Sequence, residues 1–247
     1  MFQLLAAAKR YAGAAALHPI DLTVERGRTL VLIGPSGSGK STLLRLMAGL
    51  DEPSAGTLRF DGEPITRDGS AAFRRRIGYV VQGGGLFPHL TARDNVSLLA
   101  GHLGWPPARR RDRIADLARL VRLPDEALDR YPVQLSGGQA QRVSLMRALM
   151  LDPEVLLFDE PLGALDPITR FELQHDLRGI FRRLRRTVVM VTHDLGEAVF
   201  FADRILLLHD GRVLQDGTAA DLIERPASAF VARFVRAQRP AAGGDPS

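Results

Sequence analysis

Cysteine is absent from the 247 residues, and lysine is nearly absent. Without thiols the chain forms no disulfide, no thiolate metal site and no cysteine nucleophile, which fits a reducing compartment. Lysine stands only at Lys9 and Lys40, although lysine and arginine together number 33. Arginine therefore supplies most of the basic charge, and we interpret the formal net charge of +5 as a bias of composition that says little about nucleic acid.

Long apolar runs are also lacking. No stretch approaches the roughly 18 to 20 uninterrupted apolar residues that cross a bilayer, and the start of the chain lacks a basic segment followed by an apolar run and a cleavage site. Hydrophobic residues make up 45% and charged residues 25%, the balance of an ordinary folded domain. We therefore expect a soluble, unprocessed protein for which any role at a membrane is peripheral.

Apolar strand-like runs alternate with helix-like stretches, which predicts an α/β fold with a mainly parallel sheet and helices on both faces. Runs at 20–24 and 56–60 predict an antiparallel β layer near the N-terminus. We expect a single domain at 1–236, with a helical subdomain at about 91–150 and a disordered tail at 237–247. The predicted strands are 29–33, 77–81, 155–158 and 187–191, the predicted helices include 41–50 and 167–184, and a hairpin is expected at 205–208 and 213–215.

A glycine-rich segment, GPSGSGKS at 34–41, joins the strand at 29–33 to the helix that follows it. It satisfies the pattern GxxxxGK[ST] in the strand, loop and helix context that this phosphate-binding motif requires. Backbone N–H groups of the loop wrap the phosphates, Lys40 neutralises the outer phosphates, and Ser41 offers a hydroxyl to Mg²⁺. The residues predicted to bind nucleotide here are Ser36, Gly37, Ser38, Gly39, Lys40, Ser41 and Thr42.

A second phosphate-binding pattern, LSGGQ, stands at 135–139. A serine and two glycines at the start of a helix leave backbone N–H groups uncovered, so an anion can approach the positive end of that helix. One nucleotide already has its phosphates held by the loop at 34–41. The second pattern therefore predicts that this chain completes the nucleotide site of another chain.

Polar side chains follow two of the predicted strands, at the carboxyl ends where open α/β sheets bind their ligands. Asp159 and Glu160 follow the strand at 155–158, and His193 follows the strand at 187–191. We predict that Asp159 holds Mg²⁺, directly or through water, and that Glu160 polarises the attacking water as a general base. His193 would sense the terminal phosphate and position the water.

Taken together, these motifs resemble the ATP-binding subunits of ABC transporters over about residues 2–234. The resemblance implies a head-to-tail pair of chains that sandwiches two ATP molecules, closes when ATP binds and reopens after hydrolysis. It further implies one role for each matching residue. Tyr11 would stack on adenine, Gln82 would contact Mg²⁺ and the attacking water, Asp166 would cross the dimer interface, His193 would be the switch histidine, and Ser136, Gly137, Gly138 and Gln139 would close on the partner's ATP.

The resemblance also implies a kind of transporter. Importers usually keep the ATPase separate from the permease, and contact with the permease would run through 82–91, which contains Phe87, Pro88 and Leu90. The segments GLFPHLT at 85–91 and DPITR at 166–170 are similar to those of importers of glycine betaine, choline or carnitine. We therefore expect a subunit at the cytoplasmic face of the membrane that works with permease subunits and, indirectly, a solute-binding protein. Nitrate, sulfonate, taurine and amino-acid importers stay open as alternatives.

Two features depart from that subfamily. Many of its members carry a C-terminal pair of CBS modules that respond to ionic strength, and the sequence ends before such a pair, so we expect regulation without them. The run Gly83-Gly84-Gly85 is unusually rich in conformational freedom, which predicts a different coupling through this loop.

Two other classes compete with the transporter interpretation. Chromosome-type ABC ATPases place a long coiled coil between the two phosphate motifs, whereas the interval from Lys40 to Asp159 has no sustained heptads. P-loop kinases and GTPases have no use for LSGGQ or a switch histidine. We therefore favour the transporter subunit and expect no nucleic-acid partner.

Overall fold

The computed structural model describes residues 1–66, 70–163 and 165–238. The strands are β1 (Phe2–Tyr11), β2 (Ala14–Val24), β3 (Thr29–Ile33), β4 (Ala55–Phe60), β5 (Glu63–Pro64), β6 (Ile77–Val80), β7 (Val155–Asp159), β8 (Thr187–Val191), β9 (Arg204–His209) and β10 (Arg212–Gly217). The α-helices are α1 (Lys40–Met47), α2 (Ser70–Arg74), α3 (Ala92–His102), α4 (Pro107–Val121), α5 (Gly137–Leu149), α6 (Pro167–Leu184), α7 (Leu195–Phe201), α8 (Ala219–Glu224) and α9 (Ala229–Gln238). Short 3₁₀ turns occupy Asp125–Ala127 and Pro132–Gln134.

The described residues form two compact units, one from 1–66 with 189–238 and the other from 70–163 with 165–188. The first unit contains an antiparallel sheet in the order β2, β1, β4 and β5, which is the β layer predicted from the sequence. It also contains β10, β9, β3 and the end of β8 as neighbours in that order, and β3 and β9 run parallel. Every residue of β3 is buried, because this strand is covered on both faces.

Strand β1 is the largest element that the sequence pattern misses. Its centre reads Ala6-Ala7-Ala8, and alanine has a low preference for strands. The pairing with β2 also shifts register between Leu4 and Ala7, and Ala6 adopts a positive φ of 47°. This bulge breaks the alternation of buried and exposed positions on which strand prediction depends.

The second unit contains the parallel pair β6 and β7, together with the start of β8 and the helices α2 to α6. An ion pair joins α5 to α6, with the Arg142 guanidinium 2.6 Å from the Asp176 carboxylate and both side chains largely buried. Removal of one member of a buried pair typically costs about 3 to 5 kcal/mol. The pair therefore fixes α5 against α6, the two helices that begin with the LSGGQ segment and with Asp166.

The predicted helix at 167–184 matches α6 at both ends, whereas the helix predicted at 41–50 ends earlier, at Met47. Gly49 follows with a positive φ of 63°, a conformation that stops a helix. At the other end of the chain, α9 continues through Ala237 and Gln238, and the remainder of the predicted tail, 239–247, lies outside the described residues. Among the helices that are described, none combines the length and the apolar character needed to span a bilayer.

Candidate functional site

The glycine-rich loop leaves the buried strand β3 and enters α1 at Lys40. Lys40 is only 5% exposed, and its ammonium donates hydrogen bonds of 2.8 Å to the carbonyl oxygens of Gly34 and Pro35. The same nitrogen lies 3.4 Å from the Ser38 hydroxyl. These contacts fold the lysine back over its own loop, so the cation stands where a phosphate held by the loop would meet it.

Gly39 stands at the start of α1 and supplies no side-chain cap. Its φ is 97°, and a Cβ atom at this position would lie 2.7 Å from the carbonyl oxygen of Ala16, so only glycine fits. The first N–H groups of α1, which belong to Lys40, Ser41 and Thr42, have no acceptor within the helix. With the positive end of the helix dipole, these groups form an anion site within the first unit.

Tyr11 ends strand β1, and its ring is 43% exposed. Its hydroxyl donates a 2.8 Å hydrogen bond to the Asp51 carboxylate, which also accepts from Arg45 of α1 at 2.8 Å. Partial burial and the adjacent Asp51 raise the pKa of Tyr11, and its hydroxyl also interacts with the Thr42 side chain. The structure thus brings Tyr11 beside the phosphate loop with its side chain partly exposed, and the Lys9 ammonium lies over the ring, 5.1 Å from its centroid.

His193 is exposed and follows the end of β8. The N–H of Thr192 donates to the carbonyl oxygen of Leu32 at 3.1 Å, so the end of β8 lies alongside the end of β3. His193 and the phosphate loop therefore leave the same edge of the sheet within the first unit, as the sequence pattern predicts.

In the second unit, Gln82 and Glu160 are brought together by strand register. Val80 of β6 pairs with Phe158 of β7, and each polar residue stands two positions beyond its member of the pair. The Gln82 carboxamide nitrogen donates to the Glu160 carboxylate at 3.3 Å. Glu160 also has a positive φ of 46°, an unusual backbone conformation that is frequent at functional sites.

Asp159 is the last residue of β7 and is 8% exposed. A long hydrogen bond of 3.5 Å runs to it from the Tyr79 hydroxyl. The sequence does not predict this contact between Tyr79 and Asp159, because the pattern of β6 does not distinguish Tyr79 from a residue of the core. Asp159 and Glu160 are consecutive, so the buried carboxylate and the more exposed carboxylate share one edge of the β6–β7 pair.

The LSGGQ segment forms the N-terminus of α5. The Ser136 hydroxyl accepts from the Gln139 N–H at 3.2 Å, and the Gln139 side-chain oxygen accepts from the Ser136 N–H at 3.0 Å. This reciprocal pair is a capping box. Gly138 is buried against α6, where a Cβ atom would lie 2.7 Å from the methyl group of Thr169, so glycine is required for this close approach.

Asp166 caps the N-terminus of α6. One carboxylate oxygen accepts from the N–H groups of Ile168 and Thr169 at 3.1 and 3.0 Å. Hydrogen bonds from Thr169, first from its side chain, lower the pKa of Asp166 below the usual range of an aspartate. The close approach of Gly138 to Thr169 therefore places the LSGGQ segment next to the first turn of the helix that Asp166 caps.

Strong hydrogen bonds from α5 hold the loop that follows Gln82. The Arg147 guanidinium donates to the carbonyl oxygens of Gly84 and Gly85 at 2.9 and 2.7 Å, and the Ser144 hydroxyl donates to Gly84 at 2.8 Å. Burial lowers the pKa of Arg147. The expected conformational freedom of this triple-glycine run is thus limited by the helix that carries LSGGQ, a connection that sequence reasoning missed.

Comparisons with known proteins identify the family of the chain. Residues 17–163 match the ABC transporter family. The chain is 45% identical over 240 residues to the glycine betaine/carnitine/choline transport ATP-binding protein OpuCA of Bacillus subtilis (strain 168), covering 97% of this chain and 63% of that protein. It is 44% identical over 234 residues to the glycine betaine uptake system ATP-binding protein YehX of Escherichia coli (strain K12), covering 95% of this chain and 76% of that protein.

The name of another relative gives a different transported solute. The sulfate/thiosulfate import ATP-binding protein CysA of Mycobacterium tuberculosis (strain ATCC 25618 / H37Rv) is 48% identical over 231 residues, covering 94% of this chain and 65% of that protein. The chain therefore spans less than two thirds of the length of OpuCA and of CysA.

Among solved structures, the fold resembles a dimeric post-hydrolysis structure of the ATP-binding cassette MJ0796 with ADP and Pi, with a TM-score of 0.81 and 34% identity over 89% of this chain and 99% of that one. The predicted fold class is confirmed, as is the predicted resemblance. The phosphate loop, the LSGGQ helix and the family match lead to one conclusion: the chain belongs to the ABC transporter family.

Proposed function

We propose that the chain binds and hydrolyses ATP and thereby powers solute uptake through separate permease subunits. The observation that carries the proposal is the hydrogen bond between the side chains of Gln82 and Glu160. It places the Gln82 carboxamide next to the Glu160 carboxylate, and Glu160 directly follows Asp159. Lys40 and the first N–H groups of α1 bind the phosphates, and Tyr11 stacks on the adenine. Glu160 accepts a proton from the attacking water.

His193 completes the proposed assignment by contacting the terminal phosphate and orienting the attacking water. Its exposed side chain and its place at the edge that also bears the phosphate loop support this role. Asp166 and the LSGGQ residues act on a second chain.

The residues that we assign to Mg²⁺ are Ser41, Gln82 and Asp159. All three offer oxygen atoms, the ligands that this cation prefers. Because the Gln82 nitrogen donates to Glu160, its side-chain oxygen is the atom suited to a cation. When bound, Mg²⁺ supplies positive charge that offsets the charge on the phosphate oxygens.

The partner that completes the site is a second copy of this chain. Ser136, Gly137, Gly138 and Gln139 offer a helix N-terminus, and Asp166 lies on the next helix, so these groups form one surface of the second unit. The dimeric MJ0796 structure with ADP and Pi supports pairing of two copies, and the resemblance to ABC transporter subunits implies that they pair head to tail. Two ATP molecules are then enclosed between two copies, each held by the loop of one and the LSGGQ helix of the other.

A groove of about 400 Å³ in the second unit supports contact with a permease. Phe87, Leu98 and Leu99 line it, and each is exposed by 44 to 45%, which is high for large apolar side chains. A short helix at the cytoplasmic face of a permease fits this groove as an apolar ligand. The chain is then peripheral to the membrane, at its cytoplasmic face.

The groove is tested by Leu98→Glu in a pull-down with the cognate permease. We expect loss of the complex with ATP binding unchanged, because the charge enters the groove and leaves the phosphate loop alone. The matched control is Leu5→Glu, which alters an exposed leucine of β1 (51% exposed). Retention of the complex by Leu98→Glu, or its equal loss with Leu5→Glu, contradicts the assignment of the groove.

For the cargo, we propose quaternary amines such as glycine betaine, choline or carnitine. The names of OpuCA and YehX support this class, together with the segments GLFPHLT at 85–91 and DPITR at 166–170. The name of CysA favours a second candidate, sulfate or thiosulfate. The ATPase does not contact the cargo, so uptake has to be measured in cells.

The experiment compares uptake of labelled glycine betaine and labelled sulfate in cells that lack the chain and in cells that regain it. We expect the wild-type chain to restore glycine betaine uptake and the Glu160→Gln variant to restore none. Restoration of sulfate uptake alone contradicts the osmoprotectant assignment, and restoration by Glu160→Gln contradicts ATP hydrolysis as the energy source.

A further inference from the structure

The loop that carries His193 is closed by a ring of hydrogen bonds. The Asp194 N–H donates to the Thr192 hydroxyl at 3.1 Å, and this hydroxyl donates to the Glu197 carboxylate at 2.6 Å. The Glu197 N–H in turn donates to the Asp194 carboxylate at 2.9 Å. Thr192 and Glu197 are 2% and 6% exposed, so the ring is largely shielded from water and holds the backbone on both sides of His193.

A residue from the far end of the chain joins this ring. Leu195 is the first residue of α7, and its N–H has no acceptor within that helix. The Gln238 side-chain oxygen accepts from this N–H at 2.6 Å. Leu195 directly follows Asp194 of the ring, so Gln238 holds the backbone two residues beyond His193.

Helix α9 fixes Gln238 in place. Val231 and Val235 are its buried residues, and Gln238 follows Val235 by three positions, on the same face of the helix. The apolar contacts of α9 therefore set the position of the carboxamide, and a hydrogen bond of 2.6 Å connects that position to the His193 loop.

We propose that Gln238 is a positioning residue for ATP hydrolysis. It acts through Leu195 and the ring of Thr192, Asp194 and Glu197 to hold His193 where it contacts the terminal phosphate. The inference rests on the proposed function, because it assumes that His193 takes part in hydrolysis. It adds that α9, the last described helix, sets the rate of that step.

The test measures ATP turnover by the purified full chain. Gln238→Met keeps the length of the side chain and removes the acceptor oxygen. We expect kcat to fall about 10-fold while KM for ATP stays within about twofold, because a misplaced orienting group slows the chemical step. Gln238→Glu retains an acceptor oxygen for Leu195, so it should restore most of the turnover.

A control distinguishes positioning from a general loss of stability. The Gln215 side-chain oxygen also accepts one backbone N–H, from Ala227 at 2.8 Å, and its amide nitrogen donates to the carbonyl oxygens of Asp221 and Arg225, all of which lie outside the His193 loop. Gln215→Met should lower the Tm at least as much as Gln238→Met and leave kcat nearly unchanged. An equal fall in kcat for both variants overturns the inference, as does unchanged kcat for Gln238→Met.

A double-mutant cycle separates this inference from the proposed function. His193→Ala should lower kcat about 100-fold or more, and Gln238→Met should add nothing in that background because both changes affect one group. If His193→Ala leaves kcat unchanged, the assigned role of His193 fails and the inference fails with it. If His193→Ala lowers kcat and Gln238→Met lowers it further by the same factor as in the wild type, Gln238 does not act through His193. In that case only the inference fails.

Discussion

The N-termini of α1 and α5 both carry phosphate-binding motifs, but their backbone N–H groups meet different surroundings. At α1, Gly39 offers no side-chain cap, and the buried Lys40 ammonium is held by carbonyl oxygens of the loop. At α5, Ser136 and Gln139 cap each other's N–H groups. The N-terminus of α1 has no side-chain cap, whereas two N–H groups at the N-terminus of α5 already have side-chain acceptors.

This difference predicts an order of events. At α1 a phosphate displaces no side-chain cap, whereas at α5 the capping box occupies the N–H groups of Ser136 and Gln139 and leaves those of Gly137 and Gly138 for an anion. The capped end therefore offers fewer N–H groups to an anion than the end of α1, and we expect it to bind phosphate only when another surface presents the nucleotide. ATP therefore binds first to the loop of one chain, and the LSGGQ helix of a second chain engages afterwards.

The largest expected effect on kcat comes from Glu160→Gln, which should stop ATP hydrolysis without preventing ATP binding. Without the carboxylate that accepts the water's proton, kcat should fall on the order of 10³-fold or more, whereas both helix ends stay intact. ATP should then hold two chains together, and size-exclusion chromatography with light scattering should detect the dimer. A variant that stays monomeric with saturating ATP contradicts engagement of the LSGGQ helix.

Lys40→Ala removes the cation at the N-terminus of α1, the helix end without a side-chain cap. We expect ATP affinity to fall about 100-fold, because the charge-assisted hydrogen bonds to the outer phosphates are lost. Equilibrium dialysis or fluorescence titration of the purified chain measures the change. Unchanged affinity would show that the loop does not hold the phosphates through Lys40.

Ser136→Ala acts on the capped end and should have the opposite profile. The lost cap lowers the free energy of unfolding by about 1 kcal/mol, and ATP affinity of the single chain should stay within about twofold. Dimer formation by the Glu160→Gln chain should weaken when Ser136→Ala is added. If Ser136→Ala weakens ATP binding as much as Lys40→Ala does, the two helix ends are not distinct in function.

Asp51→Asn should have the smallest effect, since it only loosens Tyr11 at the edge of the loop. Hydrogen bonds from Arg45, the largest cause, hold the pKa of Asp51 below its usual value, so its ionised form stabilises the fold above the unfolded-state pKa of about 3.9. That stability is lost as the pH falls through the folded-state pKa. Unfolding curves should therefore separate wild type from Asp51→Asn at neutral pH and converge in acid, whereas a constant difference contradicts the role of the ionised Asp51.

The sequence supports the strand and motif assignments because these depend on local pattern. That Gln82 lies close to Glu160 can also be predicted from the sequence, because each residue follows one of two neighbouring parallel strands whose ends lie side by side. The hydrogen bond from Leu195 to Gln238 does not, because it joins side chain and backbone across 43 positions and depends on how α9 packs. Strand β1 was missed because of its alanine run and its bulge.

The central claim is that the loop of one chain and the LSGGQ helix of another form one nucleotide site. Mixing two variants, each in the Glu160→Gln background, tests it most directly: one carries Lys40→Ala and the other carries Ser136→Arg. Each variant alone should stay monomeric with ATP. The account predicts that the mixture forms dimers that retain one nucleotide, because the loop of the Ser136→Arg chain meets the LSGGQ helix of the Lys40→Ala chain. A mixture that stays monomeric with saturating ATP contradicts the account.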